Sequence, residues 1–202
     1  VNWDPGLVTV KSITAYRELH VDFGTDGDFT NLPLNEVLNK DDQSQLSQEL
    51  QFSGLSFNDR LNWVAGLYYF HEKAIDRNTV NFASGLYDGL EALPSPLDGS
   101  PLANPTAPGG PGNPINASLD INLDIYNRVK NDSYAAFFQG SYSLTDDLSV
   151  TAGLRYTYEK KEYLLRHRRI NADQFTGGSP RTVDDSLREF TPKLGVEYKA
   201  NE

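Results

Sequence analysis

The sequence holds no cysteine and no methionine. Without cysteine there are no disulfides, thiolate metal sites, cysteine nucleophiles or redox motifs. Basic residues are scarce: 18 Lys and Arg stand against 28 Asp and Glu, a net charge of -10 over 202 residues. A nucleic-acid-binding domain carries a basic face, so no nucleic-acid partner is expected. Long apolar runs are missing as well. The longest, Trp63 to Phe70, is far below the roughly 18 residues that a transmembrane helix needs. A transmembrane strand needs only about 9–11 residues, half of them apolar, so a membrane protein built from strands stays open. The opening Val1-Asn2-Trp3-Asp4 is not an initiator sequence, and no charged-then-apolar signal follows it. Together with the absence of Met, this leads to the expectation of a piece of a longer chain.

Aromatic residues are plentiful, with 11 Tyr and 10 Phe, too many together with the β-branched residues for a wholly disordered chain. They sit in segments whose period is two. Between Leu148 and Glu159 the even positions are Leu, Val, Ala, Leu, Tyr and Tyr, and the odd ones are Ser, Thr, Gly, Arg, Thr and Glu. A helix would mix the two sets, whereas a strand sends them to opposite faces. The same test finds strands at about 7–20, 44–56, 61–75, 132–144, 148–165 and 187–199. The connections alternate: about 21–43 is long, 57–60 short, 76–131 very long, 145–147 short and 166–186 long. In an antiparallel meander alternate connections share an end, so all long loops lie together opposite all tight turns. Outer-membrane barrels have this asymmetry, with short periplasmic turns and longer extracellular loops. The 76–131 segment is thus expected as a long extracellular loop. Its Pro94–Pro114 stretch holds seven of the eleven prolines and cannot pair in a sheet; it is read as a mobile loop or a lid ordered by ligand.

Alternation alone fits both a soluble sandwich and a membrane barrel. Twelve residues at about 3.3 Å and a tilt near 45° climb roughly 28 Å, which matches the apolar band of about 25 Å. Aromatics collect at strand ends. Phe57, Trp63, Tyr142 and Tyr198 lie near the tight turns; Tyr16, Tyr69, Phe70, Tyr134, Tyr156, Tyr158 and Phe190 lie near the long loops. This fits an interfacial girdle, although Tyr and Phe are also simply good strand formers. Six strands cannot close a barrel. The fold expected is therefore all-β, an antiparallel meander of about six long strands forming part of a large transmembrane β-barrel.

Catalytic and metal motifs fail on inspection. His71-Glu72-Lys73-Ala74-Ile75 starts like the zinc helix motif, but Ile75 replaces the second histidine. Asp120-Ile121-Asn122-Leu123-Asp124 starts like a calcium loop, but Ile125 stands where glycine is needed. No nucleophile elbow, phosphate loop or dinucleotide fingerprint occurs. No enzyme activity, cofactor or metal is expected. One charge cluster stands out against the acidic background: Arg166, His167, Arg168 and Arg169. These four are the candidate ligand-binding residues, attracting an anionic ligand or lipopolysaccharide phosphates. The plainer reading is a solvated strand end paired with Glu159, Glu162 or acids of the first loop.

Several segments resemble the barrel strands of TonB-dependent outer-membrane receptors. They are Val10-Lys11-Ser12-Ile13-Thr14-Ala15-Tyr16-Arg17; Ser47 to Phe52 with Leu61 to Tyr69; Tyr134 to Gly140 with Leu148 to Tyr156; and Phe190 to Tyr198. The resemblance covers nearly all the strands and none of the loops. It implies a barrel of roughly 22 strands plugged by an N-terminal domain. It also implies residence among outer-membrane lipid of a Gram-negative cell and uptake of a small-molecule nutrient, often a ferric siderophore. Energy would come from the TonB complex through a plug that this sequence lacks. The competing reading is a soluble all-β binding module, such as a carbohydrate-binding or adhesin-like sandwich.

Overall fold

A computed structural model describes residues 2–3, 6, 8–32, 34–91 and 121–200. Its strands are β1 (Asn2–Trp3), β2 (Thr9–Asp26), β3 (Asn35–Ser56), β4 (Leu61–Phe82), β5 (Leu123–Ser143), β6 (Leu148–Arg169), β7 (Gln174–Phe175) and β8 (Arg181–Tyr198), with one short helix, α1 (Leu86–Glu91), after β4. All the strands join one antiparallel sheet. The six long ones lie side by side in chain order, β1 pairs with β2, and both β7 and β8 pair with β6. This is the expected meander.

The strands run further toward the long-loop end than their apolar alternation does. The connections expected at 21–43, 76–131 and 166–186 shrink to 27–34, 83–122 and 170–180. Beyond about residue 17 the face of β2 that was apolar turns polar (Glu18, His20, Asp22), and the facing part of β3 from Asn39 to Gln45 is polar on both faces, while the backbone ladder continues unbroken, pair by pair, from Glu18↔Ser44 to Asp26↔Glu36. A ladder needs only backbone partners, and water on both faces removes the alternation that marked it. A 22-residue strand tilted near 45° climbs roughly 50 Å, so about half of it projects past an apolar band of about 25 Å. Pro94–Pro114 lies outside the described residues.

The tight turns are held by local bonds. In 57–60, Phe57, Asn58 and Asp59 all take positive φ (56°, 55° and 65°), and the Arg60 amide donates to the Phe57 carbonyl at 3.4 Å. Asn and Asp tolerate this region, but a bulky Phe rarely does. In 144–147 the Thr145 hydroxyl accepts from the Leu148 amide at 3.0 Å. At the opposite end, the Asp28 carboxylate binds the Thr30 hydroxyl and amide and the Asn35 amide. The Thr30 hydroxyl is the first cause holding its pKa below the usual carboxylate range.

The sheet is one layer. Among the described residues only Ala135 and Ala172 are buried hydrophobics, while Leu154 and Phe138 are each 50 % exposed and Leu194 is 80 % exposed. A soluble sandwich packs a second sheet on such residues. Here consecutive strands extend one sheet instead, which overturns the sandwich reading.

Candidate ligand-facing surface

Register turns the alternation into two continuous faces. Partners opposite one another across antiparallel strands share a face. On the apolar face the pairs Leu50↔Leu67, Leu67↔Ala136, Ala136↔Tyr156 and Tyr156↔Phe190 form one row across five strands. The next row outward is Gln48, Tyr69, Tyr134, Tyr158 and Arg188. Ring centroids lie 5.2 Å apart for Tyr69–Tyr134 and 6.5 Å for Tyr134–Tyr158, and the Arg188 guanidinium lies 5.6 Å from the Tyr158 ring centre. These tyrosines form one continuous row across three strands. Phe70 does not belong to it, contrary to expectation: it pairs with Ser47 and Ser133 on the polar face. Neighbouring residues in a strand cannot share a face. Beyond that row the same face turns charged.

The polar face carries Glu49, Gln51, Gln139, Arg155 and Lys193 around a depression of about 390 Å³, floored in part by Phe137 and Gly153. Lys193 donates to Gln139 at 2.9 Å, Gln51 to Glu49 at 2.7 Å, and the Arg155 guanidinium lies 5.6 Å from the Tyr68 ring centre. Higher up, Gln43 and Gln45 both donate to Glu72. Above them runs a line of polar groups across four strands. Asp41 and Asp76 oppose each other directly. Asn127 donates to Asp76 at 3.0 Å, and His167 Nε2 donates to the Asn127 side-chain oxygen at 2.9 Å. Asp41 lies well above the apolar band. Desolvation first, then the hydrogen bond and charge of Asp76, raise its pKa above the usual carboxylate range.

The candidate cluster does not stay together. Strand alternation sends Arg166 and Arg168 to the charged extension of the apolar face, and His167 and Arg169 to the polar face. Arg166 stacks on Tyr126, 5.1 Å from the ring centre, and Arg168 pairs with Asp173 at 2.7 Å. None of the carboxylates expected as partners is used by these two. His167 is tied down further: its amide donates to the Ser179 hydroxyl at 2.6 Å, and its carbonyl accepts from Ser179 and Thr176. The zinc-like segment splits the same way, with His71 donating to Asp132 at 2.7 Å on one face and Glu72 on the other. In the calcium-like segment, Asn122 instead accepts the Phe82 amide at 2.6 Å. Among the described residues no three His, Asp or Glu side chains are grouped to hold a metal ion. Asp41, Asp76 and Asn127 escaped sequence reasoning because all three lay in segments read as loops. Only the register brings them together.

The whole chain, residues 1–202, matches the family described as TonB dependent receptor-like, beta-barrel. The chain belongs to that family. Its fold also matches the crystal structure of the ferric yersiniabactin uptake receptor FyuA from Yersinia pestis, with a TM-score of 0.68 and 13% identity. All of this chain aligns, and it spans 25% of that receptor's length. No curated protein matches it in sequence. As part of a transmembrane barrel of this family, the sheet turns its apolar face to lipid and its polar face to the lumen.

Proposed function

We propose that this chain forms part of the wall of an outer-membrane receptor that imports a scarce nutrient, such as a ferric siderophore, with energy relayed by TonB through a plug domain. The observation that carries this reading is the combination of one open apolar face, a row of tyrosines across it and a polar opposite face, all within the family's barrel. The likeness in fold to a ferric yersiniabactin uptake receptor supports the choice of iron chelates as the first ligands to try. The tight turns 57–60 and 144–147 then face the periplasm. The three longer connections, 27–34, 83–122 and 170–180, face outward.

Within this reading, His167 and Arg169 are the members of the arginine cluster that meet the ligand, because they share the luminal face with Asn127 and Asp76. Arg166 and Arg168 act outside the lumen. The test is uptake by cells lacking the intact receptor, complemented with it in backgrounds with and without TonB, and offered ferric siderophores of differing charge under iron limitation. Uptake that needs both the receptor and TonB supports the reading. Uptake unaffected by either deletion removes it.

A further inference from the structure

The polar line across the luminal face has a direction. An ionised carboxylate only accepts hydrogen bonds. Asp76 Oδ1 takes the Asn78 side-chain amide at 2.6 Å, and Oδ2 takes that of Asn127 at 3.0 Å. Asp41 hydrogen-bonds Asp76 from the directly opposite position on β3. Both Asp76 oxygens already receive amides, so a proton shared between the two acids rests on Asp41, and Asp76 stays an acceptor. Asn127 therefore turns its NH2 to Asp76 and its oxygen the other way. The ring nitrogen that meets this oxygen, His167 Nε2 at 2.9 Å, must bring a hydrogen. A flipped Asn127 would set its oxygen against a carboxylate, and that lost charge-assisted bond outweighs the neutral one to His167.

The nitrogen left over is Nδ1, which has no hydrogen-bond partner among the described residues. Ile125, opposite on β5, and Leu165, two residues back on β6, are apolar and offer it nothing. The charged groups around it on this face are Arg169, two residues further on β6, and Arg181 of β8, opposite Leu165. β7 adds only the uncharged Gln174, opposite Arg169. The acids reach His167 through Asn127 alone.

We propose that Asp76, acting through Asn127, is a positioning residue for His167: it keeps the ring proton on Nε2 and leaves Nδ1 as the nitrogen presented to a ligand in the lumen. A neutral His167 then accepts a ligand hydroxyl or amide hydrogen at Nδ1. A charged one donates there to an anion beside Arg169 and Arg181. The proposal rests on the reading that His167 meets the imported ligand, and it assigns the nitrogen that does so and the residues that aim it.

The test is nitrogen NMR of the histidine rings in the intact receptor in detergent, with the His167 signals assigned by their loss in His167→Ala. A free imidazole also favours a proton on Nε2. The deciding readouts are therefore the exchange of that proton with water and the nitrogen that moves on acidification. As pH falls, Nδ1 should show the large shift while Nε2 stays nearly still. Asn127→Leu should speed exchange of the Nε2 proton about fivefold, the factor that one neutral hydrogen bond protects. Asn127→Asp keeps an acceptor, so it should retain the protection and hold the imidazolium to higher pH. Asp76→Asn leaves Asn127 free to flip and should speed exchange by an intermediate factor. A proton on Nδ1 in the unaltered receptor, unchanged exchange in Asn127→Leu or Asp76→Asn, or equal behaviour of Asn127→Leu and Asn127→Asp overturns the proposal. The acid titration of the unaltered receptor decides the tautomer even if a variant does not fold. Uptake independent of TonB would remove the import reading and leave these ring signals as they are, whereas a proton on Nδ1 removes this proposal and leaves import standing.

Discussion

Replacing Gly66 with alanine tests the luminal packing of the sheet directly. Gly66 lies on β4 opposite Gln51 and Phe137, and it is buried. A Cβ there would sit 2.4 Å from Phe137 Cζ, 2.7 Å from its Cε1 and 2.9 Å from the Leu50 carbonyl oxygen. The ring can swing aside, losing its contacts over the glycine. The carbonyl belongs to the sheet backbone, so it moves only if the ladder deforms. Overpacking of this kind costs about 1–3 kcal/mol; a value of about 2 is roughly a thirtyfold loss in the folding equilibrium. The assay is urea unfolding of the intact receptor in vesicles, followed by loss of its heat-modifiable band. Phe137→Ala separates the two contacts. If the ring carries most of the clash, Gly66→Ala costs less in the Phe137→Ala background, with a coupling of about 1 kcal/mol. A Gly66→Ala receptor within about 0.5 kcal/mol of the original would refute the contact argument. An additive double variant would show that the backbone contact alone decides.

Three further outcomes follow from the faces and the register. Leu154→Arg puts a charge mid-height on the lipid face and should cost about 2–4 kcal/mol. Gln51→Lys, on the luminal face near Glu49 and Lys11, should stay within about 1 kcal/mol; similar costs by urea unfolding would reverse the assignment of the faces. His167→Ala and Arg169→Ala should weaken binding of the imported ligand by about tenfold each, while Arg166→Ala and Arg168→Ala leave it unchanged in equilibrium binding to whole cells; the opposite pattern would place the ligand outside the lumen. Asp41 has a raised pKa in the folded state, so the fold binds more protons than the unfolded chain there. Its contribution is therefore favourable below the ordinary carboxylate range and is lost as pH rises through its raised value. Asp76→Asn removes the opposing charge and should flatten that stretch of the unfolding midpoint against pH, with a higher midpoint at neutral pH; an unchanged profile would show that the two carboxylates do not communicate.

Much of the fold was legible in the residues. Leu148 to Glu159 fixed a strand, its face and its height, because lipid on one side and a wet lumen on the other impose a strict period of two. The alternation of short and long connections fitted a meander with every long loop at one end, and the pairing of the strands bears that order out. Legibility stopped where the environment became the same on both faces. Asp22, Lys40, Asp76 and Asn127 look like loop residues because water surrounds the strand there, yet the backbone ladder continues through them. Hydrogen bonding between strands depends on the neighbouring strand's backbone, and no local pattern of side chains records it.

The candidate site shows the same division. The sequence by itself determined that Arg166, His167, Arg168 and Arg169 concentrate positive charge at one strand end. It also determined that no cysteine chemistry, helical span or complete catalytic motif is present. Only the tertiary structure decided that the four residues part company across the sheet, that Asp41 meets Asp76, and that Asn127 links Asp76 to His167. Residues far apart in the chain become neighbours through register, which the turns and the pairing of whole strands set together. A side chain's face follows from the parity of its position, but its company follows from the strand beside it.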